Sequence, residues 1–348
     1  MNTVEKIKDK FQRNYKIYSH AYKAGRILGM GYTWLLWKQR TEFLFHHESN
    51  LDDKKKEMRC MSTFMESFCD VLVPYIDKPI YSSVNETKVS SAEPPVIWIY
   101  WNDDSYMPQM VKNLINQIRE HSNGAKVVVV TEETVTDYVQ FDDVVWRKYK
   151  EGKISLTHFS DLLRVSLLYR YGGVYMDSTL WLIRPLPKCV TDSDFYTYRS
   201  DDVDETNASR ARWSSFFIAC HKGNLMMKAA LDVFVEYWHR YDYLVDYVLI
   251  DYTFNLLYDK IPSVRNMIDA VPVNNTNIWQ LQPCVHKAYS ETDFKSLFDD
   301  KERFLYKLSY KDSIVAPMFD ANGNRTLKGW LCEDGSLLQN IVSKCIER

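Results

Sequence analysis

The stretch SLLYRYGGVYMDST, residues 166–179, begins like the end of an apolar helix and finishes like the start of a strand. Gly172 and Gly173 sit at the joint, where a positive φ lets the chain leave a helix tightly. Strand side chains alternate, so Tyr175 and Asp177 share one face, and Thr179 continues it if the strand runs on. Carboxylate and hydroxyl oxygens at a strand end suit a hard cation such as Mg²⁺ or Mn²⁺, which takes few protein ligands and fills its shell with water and phosphate oxygens. A lone aspartate would equally cap a turn, so the surroundings decide.

Upstream, SLTHFSDLLRVSLLYRYGG (155–173) reads as a helix capped by Ser155 or Thr157 and stopped at Gly172. Asp161 and Arg164 stand i, i+3 on one of its faces, flanked by Leu162, Leu163, Val165, Leu167 and Leu168. Such a pair is either buried and mutually satisfied, or a binding pair reaching the sheet edge. Further back, VIWIYW (96–101) and AKVVVVT (125–131) read as buried strands, separated by the amphipathic helix MPQMVKNLINQIREHS (107–122), and EETVTDYV as a short helix. This βαβα alternation indicates an α/β fold with a doubly wound sheet, whose ligands bind at the carboxyl ends of strands. Trp101 and Asp177 each occupy such an end. Beyond residue 190 the clearest signals are helices over 224–239 and 244–258.

The polar linker SSVNETKVSSAEP (82–94) divides a helical region, 1–90, from the α/β domain, 91–348. The first 26 residues carry seven Lys/Arg against Glu5 and Asp9, with Phe11, Tyr15, Tyr18 and Tyr22 at helical spacing and Trp34 and Trp37 beyond. A basic, aromatic-striped helix either lies on an anionic membrane surface or packs on the catalytic domain or a second subunit. A net charge of −2 leaves no global field to draw in nucleic acid, and none is expected as a partner. Seven scattered cysteines without a CxxC pair fit a reducing compartment. With no signal-peptide pattern and no apolar run of spanning length, the expected location is cytoplasmic.

The block KISLTHFSDLLRVSLLYRYGGVYMDSTLWLIRPLP (153–187) resembles the core of the capsular polysaccharide synthesis proteins, bacterial glycosyltransferases related to the DXD-containing sugar transferases. The likeness extends upstream to PPVIWIYWNDDSYMPQMV and downstream through WSSFFIACHKGN and YLVDYVLIDY to YKLSYK, covering roughly residues 90–312. It implies a GT-A-type, Rossmann-like nucleotide-sugar-binding domain and transfer that retains anomeric configuration. By the same resemblance, Trp101 stacks on the base with Tyr100 beside it. Asp161 contacts ribose or base, Arg164 the donor sugar or phosphates, and Tyr175 lies along the donor. Asp177 is the first aspartate of the motif, and Thr179 stands where the wider superfamily has the second. The capsular branch commonly shows Asp-x-Thr, and the loss of one anionic ligand implies that Mn²⁺ or Mg²⁺ arrives largely with the donor diphosphate.

Among the remaining candidates, Lys307 and Lys311 either close over those phosphates or form a solvated strand edge. Asp251 and Asp246 alternate with large apolar residues in YLVDYVLIDY; Asp251 is the candidate acceptor base, with a helix-surface or buried-pair carboxylate as its alternative. Trp213 and Ser214 are candidates to line the acceptor side. His158 is expected to serve the first turn of its helix, and His46, His47 and His221 to be structural. The expected function is a retaining hexosyltransferase acting on a lipid-linked oligosaccharide in capsule or exopolysaccharide synthesis, working at the inner face of the membrane. UDP-hexose is the expected donor and GDP-mannose the second choice. The alternative is an inactive nucleotide-sugar-binding or scaffold protein. A glycoside hydrolase, needing two carboxylates across a sugar cleft, would leave the 153–187 block unexplained.

Overall fold

Strand β1 (Val96–Tyr100) alternates its side chains between two apolar layers, and that alternation organises the α/β part of the chain. Ile97 and Ile99 meet Val111, Ile115 and Ile118 of the helix Gln109–Glu120 on one face. Trp98 faces the other layer, shared with Leu162, Leu163 and Leu167 of the helix Leu156–Tyr171 and with the helix Leu225–Arg240. The computed structural model describes residues 3–46, 50–81, 94–288, 300, 302–309 and 316–332. Lys311, His47 and linker positions 82–93 lie outside the described residues, as do the side chains of Phe11 and His46.

The main sheet runs β2-β1-β3-β6-β5, with β2 Lys126–Val130, β3 Gly173–Met176, β5 Phe195–Thr197 and β6 Phe217–Cys220. β1 pairs in parallel with both β2 and β3, whereas β6 runs antiparallel to β3 and β5 antiparallel to β6. The expected doubly wound pattern therefore holds for three strands and then gives way. The physical reason is connectivity: parallel neighbours need a crossover, here supplied by the helices Gln109–Glu120 and Leu156–Tyr171, and no helix separates β5 from β6.

The two glycines at the head of β3 do more than turn the chain. Gly172 has φ 70° and Gly173 φ 93°. A Cβ on Gly173 would lie 2.3 Å from the carbonyl oxygen of Val96 in β1, and one on Gly172 would lie 2.5 Å from the amide of Lys222, just past β6. Ser155 caps the preceding helix, its Oγ accepting from the amide of His158 at 3.2 Å.

A second, two-stranded sheet pairs β4 (Leu180–Leu182) with β7 (Leu305–Lys307) in antiparallel register, placing Leu180 opposite Lys307. Behind it Trp181, Tyr306 and Leu308 pack on Met110 and Leu114. This small sheet returns a distant part of the chain to the end of β3.

The helical N-terminal region shares the interior of the α/β part. Helices Thr3–Leu28 and Met30–His46 form a hairpin about Gly29, with Trp37 edge-on to Tyr18 and Arg40 bonded to Asn14. Ala21, Ala24, Tyr32 and Leu35 are its buried positions, while Tyr15, Tyr22, Trp34 and Trp37 face solvent. The helix Leu51–Met65 buries Met58, Met61 and Met65 in the same apolar core as Trp98, and Phe68 stacks on Tyr237 with ring centres 6.0 Å apart.

Candidate functional site

β1 and β3 are parallel neighbours, with Ile97 opposite Val174 and Trp98 opposite Tyr175. Trp101 and Asp177 therefore leave the sheet from the same edge, each directly after its strand. Asp177 donates its amide to the carbonyl of Phe216 at 2.9 Å, and its own carbonyl accepts from the amide of Leu180 at 3.0 Å, closing a turn. Thr179 thus sits in that turn and does not continue β3.

Arg164 resolves the choice posed by its spacing with Asp161 by doing both things. Its Nη1 donates to Asp161 Oδ1 at 2.7 Å and its Nη2 to Asp177 Oδ1 at 3.3 Å, while the guanidinium lies 4.4 Å from the ring centre of Tyr175. Both Arg164 and Asp161 are buried. His158, also buried, brings Nδ1 to 3.5 Å from Asp161 Oδ2 and packs its ring on Phe234 and Trp238. Its place in the first turn thus also puts it behind the aspartate.

Lys307 approaches Asp177 from the opposite side. Its Nζ donates to Asp177 Oδ2 at 2.7 Å and to Thr179 Oγ1 at 2.6 Å, and lies 5.2 Å from the ring centre of Phe216. At 8% exposure it is no solvated strand edge. Asp177 is the open member of the group, with 30% of its side chain exposed. Burial pushes its carboxyl up, but Lys307 and Arg164 outweigh burial and hold it below the usual carboxylate range. Burial raises the Tyr175 phenol to about 12, against the pull of Arg164.

The second acidic position lies in the first turn of the helix Leu249–Lys260. Asp251 Oδ1 accepts from Trp213 Nε1 at 3.0 Å. Burial pushes the Asp251 carboxyl up to about 7; the Trp213 bond opposes this, the charge of Asp161 adds to it, and Arg164 opposes it. Asp246 is engaged locally, its Oδ1 accepting from the amide of Val248 at 2.9 Å. Ser214 exchanges backbone bonds with Thr197 Oγ1, and its own Oγ is buried without a hydrogen-bond partner.

Tyr100 and Trp101 pack against opposite apolar layers of the sheet. Tyr100 lies in an aromatic group, 6.0 Å from the ring of Phe159, which in turn stacks on Tyr149 at 3.9 Å. Trp101 is half-buried and donates its amide to Val130 at the end of β2, at 3.0 Å. His221 is 3.6 Å from Asp194 on the surface. A separate cleft of about 880 Å³ is lined by Ile80, Asp194, Tyr196, Met267, Asn274 and Phe304 among others, and Asp161, Arg164, Asp177, Asp251 and Lys307 are not among its lining residues. Sequence reasoning missed Phe216, whose ring underlies the Lys307 ammonium; an aromatic at the start of a buried strand carries no signal beyond core.

Among the described residues no cluster of three or more His, Cys, Asp or Glu comes together as a metal-binding set. The expected ligands, Asp177 and Thr179, both already accept a hydrogen bond from Lys307. In this arrangement the donor set does not fit a resident divalent ion.

The sequence profile of the family described as capsular polysaccharide synthesis protein matches residues 43–317. Glycosyltransferase afumC of Aspergillus fumigatus (strain CBS 144.89 / FGSC A1163 / CEA10) is 27% identical over 177 residues, 47% of this chain and 45% of that protein. O-glycosyltransferase braB of Annulohypoxylon truncatum is 26% identical over 156 residues, 41% of this chain and 37% of that protein. The chain thus spans less than half the length of these curated relatives. Among solved structures, the PaToxG glycosyltransferase superposes with a TM-score of 0.33 at 14% identity, covering 64% of this chain and 89% of that one.

Proposed function

The chain belongs to the capsular polysaccharide synthesis protein family, and we propose that it is a GT-A-type glycosyltransferase moving a hexose from a nucleoside-diphosphate sugar to a saccharide acceptor. The observation that carries this reading is the grip of two cations from separate elements, Arg164 and Lys307, on Asp177 at the carboxyl end of a central strand. Positive charge fixed in a partly dry site favours a leaving group that gains negative charge, and the work of orienting it is already done. The donor lies across the ends of β1 and β3, its base toward Trp101 and its diphosphate toward Arg164 and Lys307.

In the transfer, the bond between the anomeric carbon and the β-phosphate oxygen breaks, and its electron pair stays on that oxygen. The acceptor hydroxyl oxygen forms the new bond on the face that the phosphate leaves, so configuration is retained, and its proton passes to Asp251. A carboxyl held near neutrality by burial is suited to that task. Trp213, bonded to Asp251, and Ser214, with its unpartnered hydroxyl, line the acceptor side. Family membership supports a capsule or exopolysaccharide acceptor, retention of configuration, and UDP-hexose as donor with GDP-mannose second.

No described helix is long and apolar enough to cross a membrane. The exposed stripe of Tyr15, Tyr22, Trp34 and Trp37 supports peripheral contact with the cytoplasmic leaflet, where a lipid-linked acceptor would reside. Thermal shift against UDP-, GDP- and CMP-sugars, followed by chromatography of donor hydrolysis and transfer, tests the reading. Stabilisation with turnover supports it. Stabilisation without turnover identifies a nucleotide-sugar-binding scaffold, and no stabilisation by any donor overturns it.

A further inference from the structure

We propose that Lys307 is the resident cation of this site, its ammonium taking the seat between Asp177 and Thr179 and serving a leaving nucleoside diphosphate as a divalent ion would. The proposal rests on the nucleotide-sugar reading above. Lys307 Nζ stands 2.7 Å from Asp177 Oδ2 and 2.6 Å from Thr179 Oγ1. A divalent ion bound to the same two oxygens at about 2.0–2.6 Å would fall within contact distance of that nitrogen. Ammonium and metal cannot both hold the seat.

The lysine is built into this place. Its three protons have three receivers: a carboxylate, a hydroxyl and the face of Phe216. Its backbone is fixed in β7, opposite Leu180, with its amide donating to Ile278 at 2.9 Å. Local charge agrees. Two carboxylates with a divalent ion sum to zero, and so do the single carboxylate Asp177 and the single ammonium Lys307. The neutral hydroxyl of Thr179 and the lysine opposite it are then two halves of one substitution. Arg164, on the far side of Asp177, is balanced by Asp161, so the group is neutral overall and an incoming diphosphate meets two fixed cationic donors from the protein itself. When the sugar–oxygen bond breaks, its electron pair rests on the β-phosphate oxygen, and Lys307 stays protonated throughout.

Calorimetric titration of the full chain with UDP and with GDP, in EDTA and in Mn²⁺, tests this, together with electron paramagnetic resonance of Mn²⁺ added without nucleotide. The expected result is binding in EDTA within about threefold of that in Mn²⁺, and no Mn²⁺ uptake by the protein alone. Lys307→Ala should lose about tenfold or more in nucleotide affinity in EDTA and recover it with Mn²⁺, whereas Lys307→Arg stays insensitive to EDTA. Binding by the unaltered protein that vanishes in EDTA and returns with Mn²⁺ overturns the proposal, and this comparison needs no variant to fold. Unchanged EDTA binding by a Lys307→Ala protein that melts like the parent also overturns it. If neither nucleotide binds in either condition, the nucleotide-sugar reading itself fails and takes this proposal with it.

Discussion

Trp213 donates its indole N–H to Asp251 Oδ1 across 3.0 Å, tying a loop residue to the first turn of the helix Leu249–Lys260. The bond opposes the upward push of burial on the carboxyl, which stands at about 7. A base must be ionised to accept a proton, so the transfer rate should rise with pH through about 7. Trp213→Phe removes the opposing bond and should move that rise to higher pH, while Asp251→Asn should lower kcat by about 10²–10⁴-fold. A pH–rate profile with no rise near neutrality, or one that Trp213→Phe leaves in place, would remove Asp251 from the chemistry.

The same shift has a stability consequence of opposite sense. Between an ordinary carboxylate value and about 7, the folded state keeps a proton that the unfolded state releases, so stability falls as pH climbs through that window. Asparagine at 251 has no charge to bury and can still accept from Trp213. Asp251→Asn should therefore melt above the parent at pH 8, with the gap closing as pH drops toward 4. Melting curves across that range check the sign.

Arg164→Lys keeps the charge and loses the geometry. An ammonium has no planar fork to span Asp161 and Asp177 while covering the ring of Tyr175. We expect kcat/KM to drop about 10²–10³-fold, as when one preorganised donor is lost, and the melting temperature to fall because Asp161 stays buried without its partner. Retention of full activity would place the donor phosphates elsewhere.

Gly173→Ala and Gly152→Ala form a matched pair. Both glycines have positive φ, but a Cβ at Gly173 collides with the Val96 carbonyl, whereas nothing lies within 4 Å of one at Gly152. Gly152→Ala should cost about 1–2 kcal/mol from backbone strain alone. Gly173→Ala should cost several times as much, because the β1–β3 pairing cannot yield without opening the sheet. Soluble yield and melting temperature separate the two outcomes.

Trp34→Ser combined with Tyr15→Ser removes two of the most exposed aromatic rings of the N-terminal hairpin without touching its buried face. Binding to anionic vesicles in a sedimentation assay should weaken by about tenfold or more, with donor hydrolysis in solution unchanged. Equal sedimentation of both proteins would indicate that the stripe faces something other than lipid.

Local grammar made part of this architecture legible and tertiary return hid the rest. The span from Ser155 to Gly172 and the strands around Trp98 and Val128 follow from local periodicity, caps and glycines, and the shared edge of Trp101 and Asp177 from the strand-end rule for parallel sheets. The antiparallel β6 and β5 did not, because β-type runs carry no direction of their own. The meeting of Lys307 with Asp177 spans 130 positions and depends on the β4–β7 pairing, which no spacing rule announces. Asp251 is legible as a carboxylate among large apolar residues and Trp213 as a candidate for the acceptor side, but their spacing does not show them as one hydrogen-bonded unit. For the N-terminal helices, the aromatic period was plain, whereas the buried face proved to be the smaller Ala21 and Ala24 with Tyr32 and Leu35.

Phe68 against Tyr237, with Met61 and Met65 beside it, makes the amino-terminal helices one wall of a common interior. Exchange of that segment between relatives would accordingly fail as a cut-and-paste operation. A transplanted segment has to travel with the matching surface of the helices Leu225–Arg240 and Leu249–Lys260, the latter carrying Asp251.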